Sequence, residues 1–193
     1  MNTANGVTAI GRQALRLNTS GANNTAVGYQ SLYSNTSVGG NTAVGYQAAY
    51  GNTTGSNISA FGSNALASNT TGINNNAFGV NALTNATTGG RNVAMGNVSL
   101  AALTTGTKNV AIGDNALNDT TTGNEHVAIG STALNRTTTA SYHVAIGSEA
   151  LYTTTSQSEL VAVGYRAGKF ITSGGGSSTL IGFKAGQSIT SGG

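Results

Sequence analysis

Cysteine and proline are missing from this chain of 193 residues, and charge is scarce, at 7%. Without cysteine there is neither a disulfide framework nor a thiolate metal site, and the compartment stays open because extracellular fibres often lack disulfides. No Asp, Glu, Lys or Arg stands between Leu17 and Gly90, which excludes the highly charged kind of disordered chain. Eight basic and five acidic residues leave a net charge of +3, scattered too thinly to make the dense basic patch that nucleic-acid binding needs. Aromatic residues reach only 6% and hydrophobic residues 38%, so a wide, Leu-rich interior is excluded and any core must be narrow. No basic run followed by an apolar stretch opens the chain at Met1 to Gly11, and nowhere do eighteen apolar residues stand together. Neither a signal peptide nor membrane insertion is predicted.

In their place stand small and polar residues: Gly, Thr, Asn and Ser make up 100 of the 193 positions. They are arranged periodically. The Gly that closes each Ala-apolar-Gly triplet, or Leu180-Ile181-Gly182 in the last unit, falls at 11, 28, 45, 62, 79, 96, 113, 130, 147, 164 and 182, which is nine intervals of 17 residues and one of 18. The extra residue is placed in the run Gly174, Gly175, Gly176. The eleven units, numbered below as coils 1 to 11 by their Gly, account for the whole chain, 1–193, as a single repeat domain.

Three columns emerge when the coils are aligned. The residue before the Gly is always bulky and apolar: Ile10, Val27, Val44, Phe61, Phe78, Met95, Ile112, Ile129, Ile146, Val163 and Ile181. Four residues after it comes a Leu column, from Leu15 and Leu32 to Leu134 and Leu151, weakening to Gly168 and Gly186. Eight residues after it every coil carries Thr, followed by Ser or Thr. Thr-Thr-Gly, Asn-Asn and Val-Ala-Ile-Gly are poor in helices and suit short strands and turns. A helical solenoid is therefore rejected in favour of an all-β parallel β-solenoid (β-roll) of eleven 17-residue coils. Equivalent residues would stack about 4.8 Å apart, giving a rod on the order of 50 Å long.

Alternation along the strand separates two faces. In Asn109-Val110-Ala111-Ile112-Gly113, bulk assigns Val110 and Ile112 to the coil interior, so the column from Ile10 to Ile181 is the expected core ladder. Ala111 and Gly113 then face outward, as do Ala26, Gly28, Ala43, Gly45, Ala128 and Gly130. A corner with positive φ accounts for the Gly alone. The Ala-Gly stripe is the candidate subunit contact, and it implies a trimer or paired rods. The stacking register also predicts vertical ion pairs, Lys108 with Glu125, Asp119 with Arg136 and Glu149 with Arg166.

The unit Asn24-Thr25-Ala26-Val27-Gly28-Tyr29-Gln30-Ser31-Leu32, followed by Asn35-Thr36-Ser37, resembles the repeats of bacteriophage tail-fibre proteins and related bacterial surface fibres. The later form, Asn109-Val110-Ala111-Ile112-Gly113, is similar to the repeat in head domains of trimeric autotransporter adhesins, whose unit is usually shorter. The resemblance covers all eleven coils. It implies a left-handed β-roll in a homotrimer, located in a virion tail fibre or at a cell surface, with a stiff shaft or adhesive face and no catalytic residue.

Other chemistry finds little support in the residues. His126 and His143 share one column, but no carboxylate column completes a metal site, so a stacked polar ladder is expected. The acids Asp114, Asp119, Glu125, Glu149 and Glu159 include no pair set in an aromatic groove suited to polysaccharide cleavage. Ser173 to Ser178 lacks the Lys-Ser/Thr and helix of a phosphate loop, and two Asp are too few for calcium-binding repeats. The chain is thus expected to be a non-enzymatic structural fibre protein of a phage tail fibre, with no cofactor and no metal. Its partners are copies of itself, as a homotrimer or end-to-end fibre, and host cell-surface glycans. The alternatives are a bacterial surface adhesin or self-assembling extracellular filament and, on the strength of the Thr rows, an ice-binding solenoid.

Overall fold

The computed structural model describes residues 4–154, 159–171 and 177–189. Among these there is no helix, and the chain is an all-β parallel solenoid. Eleven three-residue strands, from Thr8–Ile10 through Val110–Ile112 to Thr179–Ile181, lie side by side in chain order in one sheet. A second sheet of three short strands, Thr153–Thr154, Phe170–Ile171 and Ser188–Ile189, forms on another side of the last coils. Every rung of the long sheet sits 17 residues from the next, as in Ala94↔Ala111↔Ala128, until Ala162 pairs with Leu180. The extra residue assigned to Gly174–Gly176 lies outside the described residues.

Each strand ends because its Gly must turn. These glycines hold φ between 123° and 142°, and a Cβ on Gly28 would lie 2.4 Å from the carbonyl oxygen of Gly45 one rung above. No L-side chain fits that space or that backbone conformation. Two further left-handed positions follow, such as Gln30 at 55° and Leu32 at 50°, and they fold the next side of the coil inward. A left-handed Leu is unfavourable on its own. Here its amide bonds the next coil, Leu32 N to Ala48 O at 3.0 Å, and its side chain is fully buried, which stabilises by about 1.5–3 kcal/mol.

Among the described residues the Thr column forms a ladder in which the hydroxyl of one coil donates to the backbone carbonyl of the Thr one coil above. Thr53 Oγ1 donates to the carbonyl of Thr70 at 2.9 Å, Thr70 to Thr87 at 3.0 Å and Thr104 to Thr121 at 3.0 Å. Thr155, Thr172 and Thr190 of that column lie outside the described residues.

The interior corrects the assignment of the strand's two faces. Ala26, Ala43, Ala60, Ala77, Ala94, Ala111, Ala128, Ala145 and Ala162 are 0% exposed within the single chain. The bulky column points the other way: Ile112 is 36% exposed, Ile10 60% and Ile181 70%, while Val27, Val44, Phe61 and Val163 are half-buried. Phe78, Met95, Ile129 and Ile146 are exposed with them. Ile10, Val27, Val44, Phe61, Phe78, Met95, Ile112, Ile129, Ile146, Val163 and Ile181 therefore form an outer ladder, not the core. The vertical stacking itself holds, since Ile112 pairs with Met95 below and Ile129 above.

The reason is cross-section. A seventeen-residue coil encloses little space, and the Leu column with the small column beside it, Ala48, Ala65, Ala82, Ala116, Ala133 and Ala150, already fills it from the facing side. Only Ala fits opposite, because overpacking a closed interior forces strain. By the same burial, Ala26, Ala43, Ala111 and Ala128 cannot touch a second subunit. Gly28, Gly45, Gly113 and Gly130 are accounted for by the turn and the carbonyl above each of them.

Candidate functional site

Turning the strand inside out leaves an apolar surface on one face of the rod. Its two columns are the bulky residue before each Gly and the residue two places earlier. That second column is polar in coils 1 to 5, as Thr8, Thr25, Thr42, Ser59 and Asn76, and then Val93, Val110, Val127, Val144 and Val161 in coils 6 to 10. In coils 6 to 10 both outer columns are aliphatic or thioether, so a strip two side chains wide runs unbroken over five rungs, ending at Thr179 of coil 11. The parallel pairing repeats it at about 4.8 Å.

The interior carries a feature that the composition did not announce, two buried amide ladders. Asn41, Asn92 and Asn109 each pass the side-chain N–H across the coil to a backbone carbonyl, at 3.0, 3.0 and 2.9 Å. Their Oδ1 atoms accept the amide of the same position one coil above, as in Asn109 N to Asn92 Oδ1 at 3.0 Å and His126 N to Asn109 Oδ1 at 3.0 Å. Asn35, Asn52 and Asn69 form a second such stack. The signal was present in the sequence as Asn recurring four residues before the Gly. Burial of an amide is tolerated when every polar atom is bonded, and here the repeat supplies the partners.

His126 and His143 continue the first ladder with the same valences. His126 Nε2 lies 2.8 Å from the carbonyl of Ala140, and its Nδ1 accepts the amide of His143 at 3.2 Å. His143 Nδ1 accepts the amide of Leu160 at 3.2 Å. The rings stack with centroids 5.1 Å apart. A ring nitrogen that accepts a backbone N–H must carry no proton, so both imidazoles are held neutral with the proton on Nε2. Burial lowers the His126 pKa to about 4, opposed in part by its bond to Ala140. The pair is a structural polar ladder. Among the described residues no group of three or more His, Cys, Asp or Glu is placed to hold a metal ion.

The surface charges gather near the C-terminal coils. Lys108 pairs with Glu125 at 2.8 Å and Arg166 with Glu149 at 3.1 Å, as the register predicts; Asp119 and Arg136 are not among the ion pairs formed by the described residues. Glu149 also binds Lys169, and hydrogen bonds from Lys169 and then Arg166 hold its carboxyl below the usual range. Asp114 accepts from the side-chain amides of Asn97 and Asn115. A shallow recess of about 280 Å³ lies beside Ile73, Thr88, Gly90, Arg91 and Thr107, where Gly90 interrupts a column of larger side chains.

Aromatic residues stack in vertical pairs on the outside: Tyr29 on Tyr46, Tyr33 on Tyr50, Phe61 on Phe78 and Tyr165 on Phe183. No family model, no curated protein and no solved structure matches this chain. No helix among the described residues is long and apolar enough to cross a membrane.

Proposed function

We propose that this chain is a structural fibre protein, a rigid β-solenoid shaft of a phage tail fibre that associates with copies of itself and contributes to host attachment without catalysis or cofactor. A bacterial surface adhesin or self-assembling extracellular filament is the alternative reading of the same properties. The observation that carries the proposal is the outer Val/Ile strip. A rod whose side chains are locked rung to rung gains stiffness from inter-coil hydrogen bonds, and each coil depends on its neighbours. An apolar strip continuous over five rungs of such a rod, coils 6 to 10, marks a contact surface.

A second copy is the occupant that suits the strip, because another chain presents apolar rows at the same rung spacing. Five rungs of about 4.8 Å by three residues of about 3.3 Å give a flat footprint of about 240 Å². That falls below the roughly 800 Å² per partner of a stable pair, so a flat dimer is under-supplied. Three strips meeting about a common axis cover each one from both sides, and a closed ring of this kind leaves no strip exposed.

Light scattering on the purified chain tests this. The expected mass is three times the 19.1 kDa of one chain. Ile112→Asn with Ile129→Asn, at outward positions, should reduce that mass to the monomer while the β-rich circular dichroism spectrum persists. An assembly unaffected by both substitutions removes the strip as the contact. An open-ended polymer would favour the filament, and a stable monomer with thermal hysteresis would favour an ice-binding solenoid.

A further inference from the structure

We propose that coils 3 and 4 form a docking ledge for a neutral saccharide, at the rung where two tyrosine ladders and a glutamine ladder stop together. The proposal deepens the attachment reading and rests on it for its biological use, while the ledge itself is argued from local geometry.

Three outward positions follow the strand Gly at one, two and five residues. In coil 3 they hold Tyr46, Gln47 and Tyr50, and in coil 4 they hold Ser63, Asn64 and Ala67. Below the ledge the ladders are continuous. Tyr46 stacks on Tyr29 with centroids 5.5 Å apart and planes within 11°, and Tyr50 stacks on Tyr33 at 5.2 Å and 20°. Gln30 Nε2 donates to Gln13 Oε1, and Gln47 Nε2 donates to Gln30 Oε1, each at 2.8 Å. The backbone carries on into coil 4 without a break, Asn64 N to Tyr46 O at 2.9 Å. Only the side chains shrink.

The consequence is a step with two ring faces and one amide oxygen turned along the rod. One face of Tyr46 lies against Tyr29, and nothing of ring size covers the other, since the residue above is Ser63. Tyr46 is accordingly 51% exposed, whereas Tyr29, with the Arg12 guanidinium 6.0 Å from its centroid on the far side, is half-buried. Tyr50, half-buried, has Ala67 above it in the same register. Gln47 has committed its amide nitrogen downward, which leaves Oε1 as the top acceptor of its ladder, and Asn64 is one methylene too short to extend it.

Flat aromatic faces beside planar amides match the chemistry of a pyranose, whose C–H face packs on a ring while its hydroxyls bond amide donors and acceptors. Charge argues for a neutral sugar: no ionisable Asp, Glu, Lys or Arg occurs from Leu17 to Gly90. The aromatic pair at the other end of the rod differs in this respect. Arg166 lies 4.8 Å from the Tyr165 centroid and Lys184 lies 5.1 Å from that of Phe183, so cations already occupy the surroundings of those rings.

The test is calorimetric titration of the full chain, in its native assembly, with chitotriose, maltotriose and cellotriose, and with 3′-sialyllactose as the charged comparator. Tyrosine emission gives an independent readout because the chain contains no tryptophan. Saturable binding of at least one neutral probe is expected. The variant Ser63→Tyr with Ala67→Tyr carries both ring ladders one rung further and buries the exposed faces. It should keep the melting temperature and assembly mass and lose affinity about tenfold, the scale of forfeiting two aromatic contacts. Tyr46→Leu, which removes one face without adding bulk, should lose affinity in the same direction. Absence of saturable binding by any neutral probe, binding of the sialylated probe alone, or undiminished affinity in folded variants overturns the ledge. Assembly mass on the same samples keeps the two readings apart: an assembled chain that binds no sugar overturns only the ledge, and a monomer that binds one overturns only the fibre.

Discussion

Lowering the pH from 7 to 4 should loosen the rod at its eighth and ninth coils, where His126 and His143 stand in for asparagine. An asparagine in this column is indifferent to pH. An imidazole is not, because Nδ1 of His126 accepts the amide of His143, and a proton there would set two donors against each other inside a closed core. The sign follows from linkage. In the unfolded chain His126 takes a proton near its ordinary value of 6.5, while in the fold it resists until about 4. Stability is therefore full above pH 6.5 and falls as the pH drops through the interval to 4. At about 1.36 kcal/mol per pH unit, that interval corresponds to roughly 3 kcal/mol for this one residue. Carboxylates such as Glu149, held below its usual range by Lys169 and Arg166, act in a lower window and leave pH 5 to 6.5 to histidine.

The assay is denaturant unfolding followed by circular dichroism at pH 7.5, 6.5, 5.5 and 4.5, with hydrogen exchange to locate the weakened coils. The comparison is His126→Asn, which restores the ladder chemistry of Asn109 one coil below. Wild type should lose stability progressively across that range, and the variant should lose less, with faster exchange in wild type centred on the amides of His143 and Leu160. If His126→Asn tracks wild type at every pH, or wild type is flat from 7.5 to 4.5, the neutral-ladder reasoning is wrong.

Two other substitutions probe the reversed strand. Ala111→Leu places extra volume in a closed interior and should cost about 1–3 kcal/mol in denaturant unfolding, whereas an outward Ala111 would tolerate it with no loss. Gly113→Ala meets the carbonyl oxygen of Gly130 at 2.5 Å and a φ of 137°, so a loss of about 1–3 kcal/mol or more is expected, and a neutral result would contradict the turn geometry.

Much of the architecture was legible because the repeat is nearly perfect. The 17-residue register, the Leu column, the Thr hydroxyl ladder and the Lys108–Glu125 pair all follow from superposing equivalent positions. The strand's polarity was not legible in the same way. Alternation sorts Val110 and Ile112 from Ala111, but it assigns neither set to the inside, and the usual guide, bulk, points the wrong way in so narrow a coil. The Asn columns were visible as letters, yet their role as a buried ladder depends on carbonyls fourteen residues away, such as Gly123 for Asn109. The ledge at Tyr46 likewise needs the knowledge that Ser63 is its upstairs neighbour and that the rings stack face to face.

The order of residues by itself determined that this chain is a parallel β-solenoid, since a period of seventeen with Gly at each turn allows equivalent strands to pair with little else to choose from. Tertiary structure decided which face is inside. That outcome depends on how much volume the opposing wall leaves, a property of the closed cross-section that no local pattern contains.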